Sequence, residues 1–242
     1  MDLDPGLAAL GALGGFFVLR TGAPPSMPGR PLPTLAQAYA PAAPDPLGGA
    51  YGDPLAFRVR KVARSLHAPE IRVAASLTHQ GLAARLWSVA LGCAVLYGRV
   101  PDLDPRLLHW DPDGTMPDEL WLSEVRPLSV GSLDAVVREA HLVPLTAALN
   151  SRYGVSRRLL WGNAGSALAG SVRMIGDWAR AGGRTEVPER ARALAAESFG
   201  HPGLSGTLDP VTGRRRSCCL YYRLPGGGLC GDCCFDRPPG RG

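Results

Sequence analysis

Five of the six cysteines of this 242-residue chain fall between positions 218 and 234. Two adjacent cysteines, Cys218 and Cys219, are followed ten residues later by Cys230 and, after two more residues, by Cys233. Four thiolates are the ligand set of a tetrahedral zinc ion or of an iron-sulfur cluster. We therefore expect this segment to fold around a metal centre that these four cysteines bind.

The spacing of the cysteines favours an iron-sulfur cluster over zinc. Adjacent cysteines are awkward ligands for one ion, whereas a cluster spreads its ligands over two irons. Residues 220–224 alternate as a strand does, and the Pro-Gly-Gly-Gly turn that follows would bring the two cysteine pairs together as a hairpin. Zinc and a set of redox thiols remain open alternatives. Cys234 is a spare thiol, either at the surface or competing with Cys233 for the fourth ligand position.

Charge and hydropathy argue against a nucleic-acid-binding protein and against a membrane-spanning one. The net charge is +5, but the basic residues are almost all arginines interspersed with acidic ones, which argues against nucleic-acid binding. The apolar segment 7–19 is shorter than the roughly 20 residues that span a bilayer, so we expect a first helix docked on the core and no transmembrane segment. Clustered thiols without a secretion signal indicate a reducing compartment, and we expect the cytoplasm.

Helical periodicity predicts a mainly α fold in three parts. Residues 1–52 form an N-terminal helix and a Pro/Gly-rich linker, residues 53–200 a helical body, and residues 201–242 a small irregular or β-hairpin cysteine module. Cys93 lies on an apolar helical stripe and is expected to be a buried free thiol rather than a ligand. The pattern predicts helices over 34–39, 53–65, 70–77, 80–96, 131–150 with an interruption at Pro144, 156–179 and 187–198, and a hairpin of the runs 107–110 and 120–122.

The cysteine motif carries a resemblance to a known family. C-C-x10-C-x2-C, preceded by Arg215-Arg216-Ser217 and embedded in Cys-Cys-Leu-Tyr-Tyr-Arg-Leu-Pro, resembles the signature of the ferric-siderophore reductases, the FhuF-like family. Three stretches of the body, HQGLAARLWS at 79–88, HLVPL at 141–145 and LLWGN at 159–163, occur in the order that this family shows. The resemblance covers roughly residues 55 to 235, and Cys234 departs from the basic pattern.

The resemblance implies a 2Fe-2S cluster on Cys218, Cys219, Cys230 and Cys233 and one-electron reduction of ferric siderophores. Oxygen ligands hold Fe³⁺ tightly and Fe²⁺ weakly, so one electron releases the metal, and no catalytic group beyond the cluster is needed. The sequence has neither a dinucleotide fingerprint nor a P-loop. The expected partners are therefore a ferric siderophore and an external electron donor, with transient association with a membrane transporter.

Further candidate residues lie in the body and beside the cysteines. The alternative for the candidates in the body is a structural role, because a single histidine or tryptophan in such a helix is often a core or capping residue. Six arginines against two aspartates after position 213 would favour the reduced cluster or dock an acidic donor, unless they are merely solvated. The candidates are His79, Arg85, His141, Trp161 and Asn163 for siderophore binding, and Arg214, Arg215 and Arg216 for donor docking or potential tuning.

Two rival functions remain at this level. In the first, zinc or a cluster only staples the tail, and the helical body binds a siderophore or a protein partner without turnover. In the second, the protein senses iron or redox state, with Cys234 as an oxidisable thiol beside the cluster.

Overall fold

The computed structural model describes residues 3–25, 31–41, 52–115 and 119–239. Its helices are α1 (Asp4–Leu10), α2 (Leu35–Tyr39), α3 (Pro54–Ser65), α4 (Ile71–Tyr97), α5 (Val143–Tyr153), α6 (Arg157–Ala181) and α7 (Val187–Phe199). The prediction of a mainly α fold is confirmed. Residues 26–30 and 42–51 of the predicted linker, and 116–118 in the predicted hairpin, lie outside the described residues. The division into three parts stays a prediction.

The centre of the fold is the packing of α4 against α6. Helix α4 is buried over most of its length, as expected for a helix that is apolar on all sides. The sequence predicted two helices, over 70–77 and 80–96, but the structure has one continuous helix over both ranges. The polar residues between them do not interrupt the helix because Thr78 and His79 are themselves buried in the core. Gly98, with φ of 65°, ends α4 in the left-handed conformation typical of a helix C-terminus.

The N-terminal apolar segment docks on α4, but only its first part is α-helical. After α1 the chain continues as two 3-10 turns, Gly11–Leu13 and Gly15–Phe17. A Cβ at Gly92 of α4 would lie 3.0 Å from Leu10 Cδ2 and 3.1 Å from Phe17 Cδ1, so the absence of a side chain allows this close packing.

The described residues include five short strands. The strands are β1 (Arg20–Thr21), β2 (Val100–Pro101), β3 (Leu108–Trp110), β4 (Leu120–Leu122) and β5 (Pro127–Leu128). Strand β4 pairs antiparallel with β3, with His109 opposite Trp121, and parallel with β1, while β2 pairs antiparallel with β5. The predicted pairing of the runs 107–110 and 120–122 is confirmed.

The helix predicted over 131–150 has an unexpected first half. Ala135–Leu142 is a π-helix that passes directly into α5. Pro144 lies in the first turn of α5, where its missing N–H is tolerated because the first N–H groups of an α-helix have no intrahelical partner. The proline therefore marks the change of helix type rather than a break in the chain.

The cysteine module is irregular. The strand predicted over 220–224 is wrong: Leu220 has φ of 69°, and Tyr221–Arg223 forms a 3-10 helix. In the described part of the module, the one β-type pairing is the bridge between Leu208 and Arg215. No helix in the described ranges is both long and apolar enough to cross a bilayer.

Candidate metal centre

The module brings sulfur atoms together by two tight turns. Cys219 Sγ and Cys230 Sγ lie 3.5 Å apart. The left-handed conformation of Leu220 turns its N–H back onto Cys218 Sγ at 3.3 Å. The Cys233 N–H donates to the Cys230 carbonyl at 3.1 Å, which closes the second turn. All six cysteines are free thiols.

The sulfur atoms differ in their electrostatic environment. The hydrogen bond between the two sulfurs lowers the pKa of Cys219 to about 7 and raises the pKa of Cys230. Burial raises the pKa of Cys218, and the N–H of Leu220 opposes that effect. The Phe235 N–H donates to Cys233 Sγ at 3.5 Å. N–H groups directed at sulfur stabilise thiolates and tune the potential of an iron-sulfur cluster.

Arg215 is a buried cation beneath these cysteines. Its side chain is only 2% exposed and donates to Asn163 Oδ1 and, at 3.5 Å, to Gln80 Oε1, both neutral acceptors. Among the described residues no carboxylate lies within ion-pair distance of it, and its Nε has no hydrogen-bond partner. A buried charge without a counter-charge is unfavourable by several kcal/mol.

The donor set and Arg215 together fit an anionic metal centre. Four thiolates around two ferric irons and two sulfides carry net negative charge, which supplies the counter-charge that Arg215 lacks. Across the described ranges no three His, Cys, Asp or Glu side chains are grouped closely enough to hold a single ion by themselves. The thiols instead include a close pair, Cys219 and Cys230, and a 2Fe-2S cluster divides its four thiolate ligands into one pair for each iron.

A buried hydrogen-bond network joins the module to the helical body. The Asn163 amide of α6 donates to Ser76 O at 2.8 Å and to Ser76 Oγ at 3.0 Å. The Ser76 hydroxyl of α4 in turn donates to the Cys219 carbonyl at 2.8 Å. Because Asn163 also accepts from Arg215, one amide side chain fixes the position of the cysteine loop and of its cation relative to α4 and α6.

Comparison with known proteins identifies this segment. Residues 215–235 match the family model of the FhuF 2Fe-2S C-terminal domain. Residues 215–235 are therefore similar to this domain and are referred to as the FhuF domain. The predicted resemblance is confirmed over these residues, and the family supports the predicted 2Fe-2S cofactor. No curated protein sequence matches the chain significantly.

The five candidates for siderophore binding are not gathered at one place. His79 and Asn163 lie beneath the FhuF domain, and both are fully buried. His79 Nε2 lies 3.1 Å from Thr146 Oγ1, while burial, with a smaller contribution from Arg215, lowers its pKa to about 3. The burial of His79 and Asn163 is consistent with a role in packing the FhuF domain against the body.

The other three candidates are farther from the cysteines or face elsewhere. Arg85 is fully buried and donates to the carbonyls of Gly15 and Val18, which fixes the N-terminal segment. His141 is also buried and lies between the Tyr39 hydroxyl, 2.9 Å from Nδ1, and the Leu103 carbonyl, 2.5 Å from Nε2. The Leu103 carbonyl requires a donor, so Nε2 carries the proton and Nδ1 accepts from Tyr39.

Trp161 and the three arginines lie around the FhuF domain. The indole of Trp161 packs against Gly203, where a Cβ would lie 2.8 Å from the ring. Arg214 donates to the Cys233 carbonyl at 2.7 Å and pairs with Asp236 at 2.5 Å. Arg216 is half exposed, with its nearest carboxylate 3.8 Å away on Asp209. Only Arg215 of the three is buried against the body.

A cavity of about 460 Å³ opens beside the close sulfur pair. One wall is formed by the FhuF domain and includes Cys219, Cys230 and Asp232, and α4 and α6 supply most of the remaining lining, in which small residues alternate with larger ones such as Gln80 and Met174. Asp232 Oδ2 is buried without a hydrogen-bond partner. Neither Asp232 nor the cavity could be predicted from the sequence, because only the fold brings α4, α6 and the cysteine loop together.

Proposed function

We propose that Cys218, Cys219, Cys230 and Cys233 hold a 2Fe-2S cluster that passes one electron to a ferric siderophore and so releases Fe²⁺. The FhuF 2Fe-2S domain supports an iron-sulfur protein associated with siderophores, and the reductase activity is the finer step that we propose. The cytoplasm, where thiols stay reduced, is the proposed compartment.

One observation favours electron transfer over a purely structural staple. Cys219 and Cys230 form part of the wall of a cavity large enough for a small-molecule ligand, since such sites span about 300–1,000 Å³. A cluster that only stapled the tail would not need two of its ligands beside an open cavity. A chelate in this cavity would lie next to two of the cluster's sulfur ligands.

The residues of the chain would each contribute to the electron transfer. When bound, the 2Fe-2S group supplies a centre that gains and loses single electrons. Arg215 places a positive charge on the body side, which favours the state with one more negative charge. The Leu220 and Phe235 N–H groups stabilise negative charge on Cys218 and Cys233. Helices α4 and α6 bury the Arg215 side of the loop.

The electron must come from an external reductant, and exposed residues of the module offer a surface for a protein donor. Arg216 is half exposed, and Leu229 is exposed next to Cys230. Apolar groups rimmed by positive charge suit an acidic electron-transfer protein. Arg214 is committed to Asp236 and to the Cys233 carbonyl, so we assign it to holding the second turn.

The proposed function is tested by anaerobic purification, metal and sulfide analysis, and EPR after dithionite reduction. We expect about two irons and two sulfides per chain and oxidation of the reduced cluster by a ferric siderophore, with Fe²⁺ captured by a ferrous chelator. Cys230→Ser should abolish the signal, and Cys93→Ser, a buried thiol of α4, is the matched control. One zinc per chain and no EPR signal would contradict the proposal and favour a metal that only staples the tail. A cluster that no ferric siderophore oxidises would favour the iron or redox sensor.

A further inference from the structure

Two glycines within the central helices have no packing role in the chain. A Cβ on Gly81 of α4 would meet no atom within 4 Å, and one on Gly170 of α6 would meet only the end of Arg173, at 3.8 Å. Glycine weakens a helix interior relative to alanine because the unfolded chain loses more freedom. Other helical glycines, such as Gly92 and Gly165, have neighbours that exclude a side chain. Gly81 and Gly170 therefore leave open space that the fold itself does not need.

Both glycines line the cavity beside the FhuF domain. Small residues continue the same wall, while Cys219, Cys230 and Asp232 face them from the cysteine loop. The lining is mainly apolar, with one cation and one carboxylate among its residues. The other small residues of this wall are Ala84, Ser88, Ser166, Ala167 and Ser171, and the larger residues that also line it are Leu77, Gln80, Arg173 and Met174.

The shape and position of this cavity indicate its ligand. The helix wall has open space at Gly81 and Gly170, which accommodates a bulky ligand, and the facing wall contains the only two cysteines that touch the cavity among the described residues. A ferric chelate is bulky, with an organic envelope around its metal. The open space at the two glycines would let such an envelope approach the sulfur pair.

We propose that the cavity bounded by Gly81, Gly170 and the Cys219/Cys230 loop is the binding site for the ferric chelate. This inference rests on the proposed function. The step transfers one electron from the reduced cluster to Fe³⁺ in the bound chelate, which yields Fe²⁺ and the oxidised cluster. The external one-electron donor then reduces the cluster again. No covalent bond to the protein forms or breaks.

The test fills the cavity without disturbing the helices. Gly81→Leu and Gly170→Leu add side chains where the structure has open space, and leucine favours the helix. Asp177→Leu places the same side chain on an exposed position of α6 outside the cavity and is the matched control. Gly170→Met offers a more flexible filler if a leucine variant loses its cluster, as judged by the visible spectrum and EPR.

Binding is measured on the iron-sulfur-loaded protein with redox-inactive gallium(III) complexes of a trihydroxamate and of a tricatecholate, by calorimetry. We expect the dissociation constant of the bound complex to rise by roughly tenfold or more in each filled variant and to stay unchanged in Asp177→Leu. Oxidation of the reduced cluster by the corresponding ferric chelate should slow similarly. Oxidation by ferricyanide, which does not require the cavity, should keep its wild-type rate.

Two failures can be told apart. If the wild-type protein binds a gallium chelate and the filled variants bind it equally well, the assignment of the cavity is wrong and the reductase proposal stands. If the wild-type protein binds neither chelate and neither ferric form oxidises its reduced cluster, the proposed function itself fails.

Discussion

Replacing Arg215 by glutamine is expected to lower the reduction potential of the cluster by about 90 mV. The guanidinium is buried and its side-chain hydrogen-bond partners are neutral, so no ion pair offsets the charge that it directs at the cysteine loop. Reduction adds one negative charge to the centre, and a nearby cation stabilises that charge. Removing the cation therefore makes reduction harder.

The magnitude follows from the hydrogen-bond network. Three hydrogen bonds connect Arg215 to Cys219, through Asn163 and Ser76. Such a path places the guanidinium roughly 8 Å from the cysteine loop. Two unit charges about 8 Å apart interact by about 2 kcal/mol at an effective dielectric constant of about 20. For one electron, about 59 mV corresponds to about 1.4 kcal/mol, which gives about 90 mV.

The assay is a redox titration followed by EPR, carried out on matched variants. Arg215→Lys keeps the charge, so its potential should stay within about 30 mV of the wild type. Arg216→Gln removes a neighbouring charge that is half exposed and screened by water, so it should also change the potential little. The reasoning is refuted if Arg215→Gln leaves the potential unchanged, or if Arg216→Gln lowers it as much.

Three further predictions concern stability and cluster retention. Burial lowers the pKa of His141 from 6.5 to about 4, so its contribution to stability is complete above about pH 6.5 and is lost as the pH falls towards 4. Denaturant titrations should show stability falling over this range, and His141→Gln should remove up to about 3 kcal/mol of that fall, leaving the part due to His79, whose pKa burial also lowers. Cys234→Ser should keep two irons per chain, whereas Cys233→Ser should lose them. The reverse result in iron analysis would make Cys234 the fourth ligand and Cys233 the spare thiol. Gly162→Ala would place a Cβ 2.0 Å from Ser217 Oγ, so it should speed iron loss to a chelator, and adding Ser217→Gly should restore the slow rate.

The helices and the metal-binding segment could be predicted because their signals are local. Asp53 at the start of α3 accepts from the Ala56 N–H at 2.9 Å, a cap that depends only on neighbouring residues. Cys93 is buried on α4, and burial raises the pKa of its thiol to about 12, as expected for an inert core thiol. The cysteine spacing identified the FhuF domain because spacing along the chain limits which sulfurs can meet.

The cavity and the buried cation could not be predicted because they depend on contacts between distant segments. Arg215 was one of three consecutive arginines, and nothing in the sequence shows that it alone lies against Asn163, 52 positions away. The strand predicted after Cys219 failed because alternation in five residues is weak, and the left-handed turn at Leu220 overrides it. Likewise, only the fold shows that Gly81 of α4 lines a cavity.

The contact between Asn163 and Arg215 also bears on the order in which the protein matures. Ser76 and Asn163 both precede the five clustered cysteines in the chain. Helices α4 and α6 therefore leave the ribosome first and can pair before the metal ligands appear. The amide that receives Arg215 is then already in place when the cysteine loop arrives. Cluster insertion would thus be the closing step of folding, onto a preformed surface, which limits the time that the thiols spend open to oxidation.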